Sequence, residues 1–270
     1  MKSKVSWFST LVVVTLVSVA SELVHPNLWL SKLRLPSLWR PSPQEFKLPP
    51  PLTQLVLSAD DLKFGREQME KIYRDRPKLG ELVVKDDALY LWAVRQFAGE
   101  ASGHRVLWDP SAPDGPAWSL SSSVPPVSGV LGAIKIRAKY PAGPMFGQDL
   151  SCDKLWSCLV FELYNHSTNS AFEGIVSEAL AGKIDRTATI FEIAKVEYLN
   201  VQKTKRFYLN AWAPFCARKG AVPVAEDWFQ YEPDTYEHWI KQFQGPEDYP
   251  IANYGPWYDK SVAPYLKRQD

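Results

Sequence analysis

The sequence predicts an α+β fold, a helix-dominated single domain with a small β-sheet. Five stretches after residue 57 have the capping residues or apolar spacing of helices. Only two short segments, both between residues 104 and 138, are rich in β-branched residues, as strands are. The composition, 46% apolar and 23% charged over 270 residues, is that of a soluble globular protein with one substantial core.

Residues 1–20 are predicted to form a signal peptide. Lys2 and Lys4 give a basic start, an uncharged Val/Leu-rich stretch follows, and Ser18-Val-Ala20 places small residues where a signal peptidase cleaves. A transmembrane helix needs roughly 20 apolar residues, and Glu22 ends the uncharged stretch before that length is reached. We therefore expect an extracytoplasmic protein, secreted or periplasmic. The alternative is an uncleaved segment that anchors the chain to the membrane.

Residues 21–57 are predicted to be a proline-rich tether. Seven prolines lie between Pro26 and Pro51, and proline disfavours both helix and central strand. The tether repeats the pattern Pro-x-Leu-Trp, ending at Trp29 and Trp39. Tryptophans interleaved with basic residues over 27–40 suit a membrane surface or a groove on the protein's own domain, and packing against the domain is favoured.

The globular domain is predicted to span residues 58–270. A capping box, Ser58-Ala-Asp-Asp61, begins a helix that runs to about Arg76, and a second helix follows over 86–99. Strands are expected over 104–108 and 130–138, joined by a long loop that is rich in proline and serine (109–128).

From residue 149 the sequence has the residue pattern of consecutive helices. One helix is expected over 150–166, a second from the capping box Ser170-Ala-Phe-Glu173 to Gly182, and a third over 186–218. The tail, residues 228–270, is dense in aromatic residues. Its prolines leave room for one short helix over 235–243, with extended chain elsewhere.

The charge balance excludes nucleic acid as a partner. The formal net charge is +1, and removal of residues 1–20 with their two lysines leaves 29 basic against 30 acidic residues. Such a surface has no basic excess to attract a phosphate backbone.

Three cysteines follow the predicted signal, Cys152, Cys158 and Cys216. The first two lie six residues apart on one helix, about 9 Å by helical rise, which is too far for a disulfide. Any disulfide must therefore use Cys216 and leave one thiol free, and the fold must depend on its core rather than on a disulfide framework.

The candidate functional residues are Glu162, His166 and Glu197. Glu162 interrupts the apolar arc of the helix over 150–166, and His166 lies one turn further along the same side. Glu197 occupies a core position in the apolar stripe of the helix over 186–218. A buried carboxylate must be paired, hydrogen-bonded or protonated. Each glutamate is therefore either a satisfied structural acid or a catalytic group.

The segment Phe161-Glu-Leu-Tyr-Asn165 resembles the HExxH motif of zincin metallopeptidases. In that family two histidines bind zinc, the glutamate is the general base, and a later helix can carry a glutamate ligand. Here Glu162 matches the motif glutamate and Glu197 the later acid, whereas Phe161 and Asn165 replace the histidines. The resemblance implies a zincin-like core that has lost its metal. The helix is also similar to that of uncharacterised exported bacterial proteins.

These observations leave two hypotheses for function. The favoured one is an exported non-catalytic protein with a zincin-like core that acts structurally or by binding an extracytoplasmic protein or polysaccharide. The alternative is an exported peptidase-like hydrolase that uses Glu162 with His166 and Glu197. No cofactor is expected, although zinc could bind through the same three residues.

Overall fold

The structure is a computed structural model that describes residues 16–17, 46–48, 56–112, 120–126, 130–241 and 248–266. Its helices dominate a small sheet, which confirms the predicted class, a helix-dominated α+β single domain. The predicted signal lies outside the described residues apart from 16–17. So does the predicted tether, apart from 46–48 and 56–57. Residues 27–40, for which packing against the domain or contact with a membrane surface is expected, therefore lie wholly outside.

Nine α-helices are formed within the described residues. They are α1 (Ala59–Asp75), α2 (Ala88–Phe97), α3 (Cys152–Ser167), α4 (Asn169–Leu180), α5 (Arg186–Phe207), α6 (Ala213–Arg218), α7 (Tyr236–Lys241), α8 (Tyr249–Ser261) and α9 (Ala263–Leu266). Two 3₁₀ turns (Pro77–Gly80, Ala225–Trp228) and a π-helical turn (Tyr208–Trp212) complete the helical elements.

The sheet has the strand order β1-β3-β4-β2. Its strands are β1 (Leu16–Val17), β2 (Val106–Trp108), β3 (Ser121–Val124) and β4 (Gly132–Ile136). Strand β4 pairs parallel with β2 and antiparallel with β3, and β1 pairs antiparallel with β3.

Strand β3 corrects the prediction that residues 109–128 form only a loop. Its sequence, Ser121-Ser-Ser-Val124, lacks the β-branched run that signals a strand. Pairing with β4 and packing against α3 form this strand instead. Three of its serines are buried, so β3 brings hydroxyl groups into the interior.

Helices α1 and α2 cross closely at Gly65. The predicted capping box is present, with Ser58 accepting from the Asp61 amide and the Asp61 carboxylate accepting from the Ser58 amide. A Cβ on Gly65 would lie 2.1 Å from the Val94 carbonyl oxygen of α2. Only glycine allows this approach, so the residue is required by packing although it disfavours helix.

The start of α4 differs from the prediction. The helix begins at Asn169 after Thr168, and no side-chain hydrogen bond caps it, so the expected capping box at Ser170 is not used. Helix α3 ends at Ser167, and Thr168 alone separates the two helices. The predicted end is confirmed, because Gly182 follows the helix with φ of 69°.

The predicted helix over 186–218 is formed, but a π-helical turn interrupts it between α5 and α6. Pro214 has no N–H to donate to the Asn210 carbonyl four residues earlier. That carbonyl accepts instead from the Lys47 amide at 2.8 Å. Beside this contact the Phe46 ring lies 4.0 Å from the Arg218 guanidinium carbon. The end of the predicted tether is therefore docked on the long helix.

The C-terminal tail is helical where extended chain was expected. Pro250 lies in the first turn of α8, where a missing N–H has no helical partner, and Pro256 is tolerated inside the same helix. The tail aromatics Trp239, Tyr249, Tyr254 and Tyr258 are buried. Packing against α5 therefore determines the tail conformation despite its prolines.

Helix α3 lies between two hydrophobic clusters. The first joins α1, α2, the sheet and α3, and the second joins α4, α5, the tail helices and Phe161. Asp153 Oδ1 accepts from the indole nitrogens of Trp212 (2.7 Å) and Trp228 (3.2 Å) and from the Val224 amide (3.0 Å). In the described part of the chain, no helix is long and apolar enough to cross a membrane.

We expect Gly65→Ala to destabilise the fold by about 2–4 kcal/mol, because the new Cβ overlaps the backbone of α2. Urea unfolding measures the change. Gly174→Ala in α4 is the matched control, since a Cβ there meets nothing within 4 Å and the helix should gain about 0.5–1 kcal/mol. Equal effects of the two substitutions would contradict the close crossing at Gly65.

Candidate functional site

The candidate site lies along α3 where it meets β3 on one side and α5 on another. Ser151 caps the helix by accepting from the Lys154 amide, and its hydroxyl donates to Asp227 at 2.7 Å. Every residue from Lys154 to His166 is buried. A helix without a solvent-facing side must satisfy its polar side chains from within the protein.

Glu162 is fully buried and hydrogen-bonded by neighbouring side chains. Ser121 of β3 donates to Oε1 at 2.7 Å, and Asn165 donates to Oε2 at 3.0 Å. Burial raises the pKa of Glu162 to about 7, and hydrogen bonds from Ser121 and Asn165 partly offset the rise, as does the nearby Ser123 hydroxyl. The carboxyl therefore titrates near neutral pH.

A hydrogen-bond chain links Glu162 to α5. The side-chain oxygen of Asn165, Oδ1, accepts from the Asn200 side-chain amide at 2.9 Å, and the same amide donates to the Thr168 hydroxyl at 2.8 Å. Lys203 donates to Asn200 at 3.2 Å. This chain fixes the orientation of the Asn165 amide, which must point its NH₂ group at Glu162.

Glu197 is buried against the tail. Tyr249 donates to Oε2 at 3.0 Å, and Tyr254 donates to the same oxygen in a short hydrogen bond. Burial raises the pKa of Glu197 to about 8, and the charge of Glu162 raises it further, while both tyrosines oppose the rise. The other oxygen, Oε1, has no hydrogen-bond partner among the described residues.

His166 forms a pair with His104, a residue that the sequence analysis did not select. The two ring centres lie 5.8 Å apart in an edge-to-face arrangement. His166 Nε2 lies 3.2 Å from the Ala133 carbonyl oxygen of β4, and burial lowers its pKa to about 4. The imidazole is therefore neutral at physiological pH and donates to Ala133 through Nε2.

The three predicted residues are only partly brought together. Glu162 and Glu197 are electrostatic neighbours, since the charge of Glu162 raises the pKa of Glu197. Within the described ranges, no hydrogen bond or ion pair joins His166 to either glutamate. The sequence could not show which of the three residues contact one another. Helical spacing gives the side of the helix on which a residue lies, but not the residue of a neighbouring element that it contacts.

The residues present do not fit a zincin metal centre. Phe161 packs in the second hydrophobic cluster, and the Asn165 amide donates its NH₂ group to Glu162. Neither side chain can replace an imidazole ligand. In the part of the chain that the structure describes, no group of three or more His, Cys, Asp or Glu residues could hold a metal ion.

All three cysteines are free thiols. Burial raises the pKa of Cys152, Cys158 and Cys216 to about 12 in each case. A thiol with this pKa is almost wholly protonated at neutral pH and is a poor nucleophile. The thiols therefore pack in the core and do not add a reactive group to the site.

We expect wild-type stability to fall as pH rises from 4.5 to 7, and Glu162→Gln to remove part of that fall. Below pH 4.5 the Glu162 carboxyl is protonated in both the folded and the unfolded protein. Between pH 4.5 and about 7 it ionises only in the unfolded protein. The gap of 7 minus 4.5 corresponds to about 3 kcal/mol. Urea unfolding at several pH values should show the variant gaining stability relative to wild type as pH rises.

Glu178→Gln on the exposed side of α4 is the control for removing a glutamate. A difference between Glu162→Gln and wild type that is the same at pH 4.5 and pH 8 would contradict the raised pKa of Glu162. Glu197 extends the wild-type decline toward pH 8, because its pKa is also raised.

The chain has no counterpart among the known proteins with which it was compared. No family model, no curated protein and no solved structure matches it. The zincin resemblance stays a prediction, and the function has to be argued from the chemistry of the residues themselves.

Proposed function

We propose that the chain is an exported protein that acts without catalysis by binding another protein through an exposed apolar loop tip. The observation that carries the proposal is the state of the two candidate acids. Each is buried and engaged by the chain's own hydroxyl or amide groups. Export rests on the predicted signal peptide, residues 1–20.

The environment of the glutamates supports a structural role. A general base must reach a substrate proton by hydrogen bond or through one water. Glu162 is fully buried, Glu197 is 2% exposed, and Ser121, Asn165 and Tyr249 occupy positions from which a substrate group would approach. Buried acids with raised pKa values also occur as structural groups.

A hairpin over residues 139–149 supplies the proposed binding surface. Its two ends pair as an antiparallel bridge between Lys139 and Asp149. The buried Tyr140 anchors it through backbone hydrogen bonds with Gly147 and Gln148, each 2.9 Å long. The hairpin is therefore ordered before any partner binds, which lowers the entropic cost of binding.

The tip of this hairpin presents Met145 and Phe146 to solvent. Phe146 is 72% exposed and Met145 is 38% exposed. Gly143 and Gly147, which flank them, both have positive φ, so the backbone turns sharply on either side. Two adjacent large apolar side chains on an ordered hairpin remove their apolar surface from water only when a partner covers them.

Protein is the partner class that this chemistry favours. Methionine and aromatic residues are enriched at the centres of protein interfaces. A polysaccharide site usually adds polar groups beside a flat aromatic face, and a membrane site usually adds a basic cluster. At the base of the hairpin, Lys78 and Lys139 both form ion pairs with Asp149.

The second candidate function is hydrolysis by Glu162, and one observation favours it. A pKa of about 7 is in the range that suits a general base, and the Ser121 hydroxyl donates to this carboxyl at 2.7 Å. Ser121 is 3% exposed, however, so a substrate would require β3 to move away from α3.

We expect a photo-crosslinking residue at position 146 to form an adduct with one protein in the cells that naturally make the chain. Val222, an apolar residue that is 89% exposed, is the control position and should give no such adduct. Met145→Asp should reduce the yield roughly thirtyfold, as expected for loss of about 2 kcal/mol at an interface centre.

The same adduct at both positions, or none at position 146, would refute the proposed surface. The wild type could instead co-sediment with vesicles of anionic phospholipid or with insoluble polysaccharide. If Met145→Asp loses this co-sedimentation, the partner is that lipid or polysaccharide and not a protein.

We expect the purified chain to release no soluble peptide from casein, because the carboxyls that would act as bases are enclosed. Glu162→Gln is the comparison. Peptide release by the wild type that is lost in a folded Glu162→Gln variant would support the hydrolase and overturn the non-catalytic proposal.

A further inference from the structure

The His104–His166 pair has two ring nitrogens that nothing else in the described structure uses. His166 Nδ1 is buried without a hydrogen-bond partner, and so is His104 Nε2. Two such nitrogens on adjacent imidazoles are unusual, because buried polar atoms almost always have partners. Neither nitrogen takes part in the hydrogen-bond chain of Glu162.

The hydrogen bond of His166 fixes which of its nitrogens carries the lone pair. His166 donates from Nε2 to the Ala133 carbonyl, which leaves the lone pair on Nδ1. On His104 the buried nitrogen without a partner is Nε2. His166 thus uses one nitrogen on the backbone and keeps the other free, as metal-binding histidines do.

We propose that His104 Nε2 and His166 Nδ1 bind one divalent transition-metal ion of the zinc type. The ring separation fits this assignment. An ion about 2.1 Å from each nitrogen lies roughly 3.3 Å from each ring centre, so two coordinating rings have centres roughly 5.3–6.5 Å apart. The observed separation is 5.8 Å.

Glycine at position 132 keeps room beside the His166 lone pair. A Cβ there would lie 2.9 Å from Nδ1 and 2.5 Å from Cε1. Any other residue would therefore occupy the space next to the proposed ligand atom. Gly132 is also the first residue of β4, so the same strand supplies this space and the Ala133 carbonyl that orients the ring.

We assign the third donor to Asn169, at the start of α4. The Asn169 amide oxygen is buried and has no partner in the described ranges, while its NH₂ group donates to Glu173 at 2.8 Å. Burial lowers the pKa of His104, and the charge of Glu173 partly opposes this lowering. Two imidazoles, an amide oxygen and water would complete the four-coordinate shell that zinc prefers.

This site differs from the one that the zincin resemblance implies. It uses His166 but neither Glu162 nor Glu197, and its other imidazole comes from the turn before β2. His104 as a residue is only half-buried, although its Nε2 is buried, so the pair lies close to the surface.

The test is zinc titration of the whole chain after treatment with a chelator. We expect isothermal titration to give one Zn²⁺ per chain, Co²⁺ to give the visible absorption of a nitrogen- and oxygen-bound ion, and zinc to raise the melting temperature. His104→Ala should weaken zinc binding at least tenfold and abolish the thermal shift, because one imidazole is lost.

His238→Ala, which removes an exposed histidine of α7, is the matched control and should bind zinc as the wild type does. Gly132→Ala offers a second test that keeps both imidazoles, and we expect it to weaken binding by filling the space beside Nδ1. Failure to bind zinc at millimolar concentration, or equal affinity in wild type and His104→Ala, would overturn the proposal and leave the pair as buried structural histidines.

Discussion

Burial of α3 from Lys154 to His166 is the constraint on which the rest of the structure depends. This buried stretch contributes much apolar surface to the core, but each polar group along it loses water. The surrounding elements supply replacements. Strand β3 brings the Ser121 hydroxyl to Glu162, and two indoles bring N–H groups to Asp153. Ser121 of β3 and the two tryptophans that donate to Asp153 at the start of α3 are therefore needed as polar partners as much as for packing.

The same constraint makes the interior unusually rich in acids whose protonation depends on their surroundings. Glu162 is oriented by an asparagine chain that crosses to α5, and Glu197 by tyrosines of α8. Each acid thus connects elements that are distant in sequence. An acid in such a position can fix the relative placement of the elements that donate to it, because its hydrogen bonds form only when those elements pack in one arrangement.

The acids were visible in the sequence because a glutamate at an apolar position breaks the helical pattern. Glu162 and Glu197 could be selected in this way, and so could the helices themselves, since Ser58 and Gly182 act where capping rules place them. Their partners could not be selected. Which serine or tyrosine meets a carboxylate is set by the packing of separate elements, and spacing along one helix contains no information on this.

The errors in the predictions share a physical origin. Strand β3 has a polar sequence and α8 contains prolines, so local preference argued against both, and tertiary contacts decided otherwise. His104 was missed because it lies in an irregular turn before β2, where no periodicity relates it to His166. Residues that act together across elements are the least accessible to pattern analysis.

Pro214 shows how a local defect in a helix can become an attachment point. Pro214 has no N–H for the Asn210 carbonyl, and the Lys47 amide donates to that carbonyl from outside the helix. Backbone atoms make this bond, so it tolerates any side chain at position 47 except proline. The chain around residue 47 is thereby held at a fixed point on the long helix, and a force applied at this bond would be passed to the helix through its backbone.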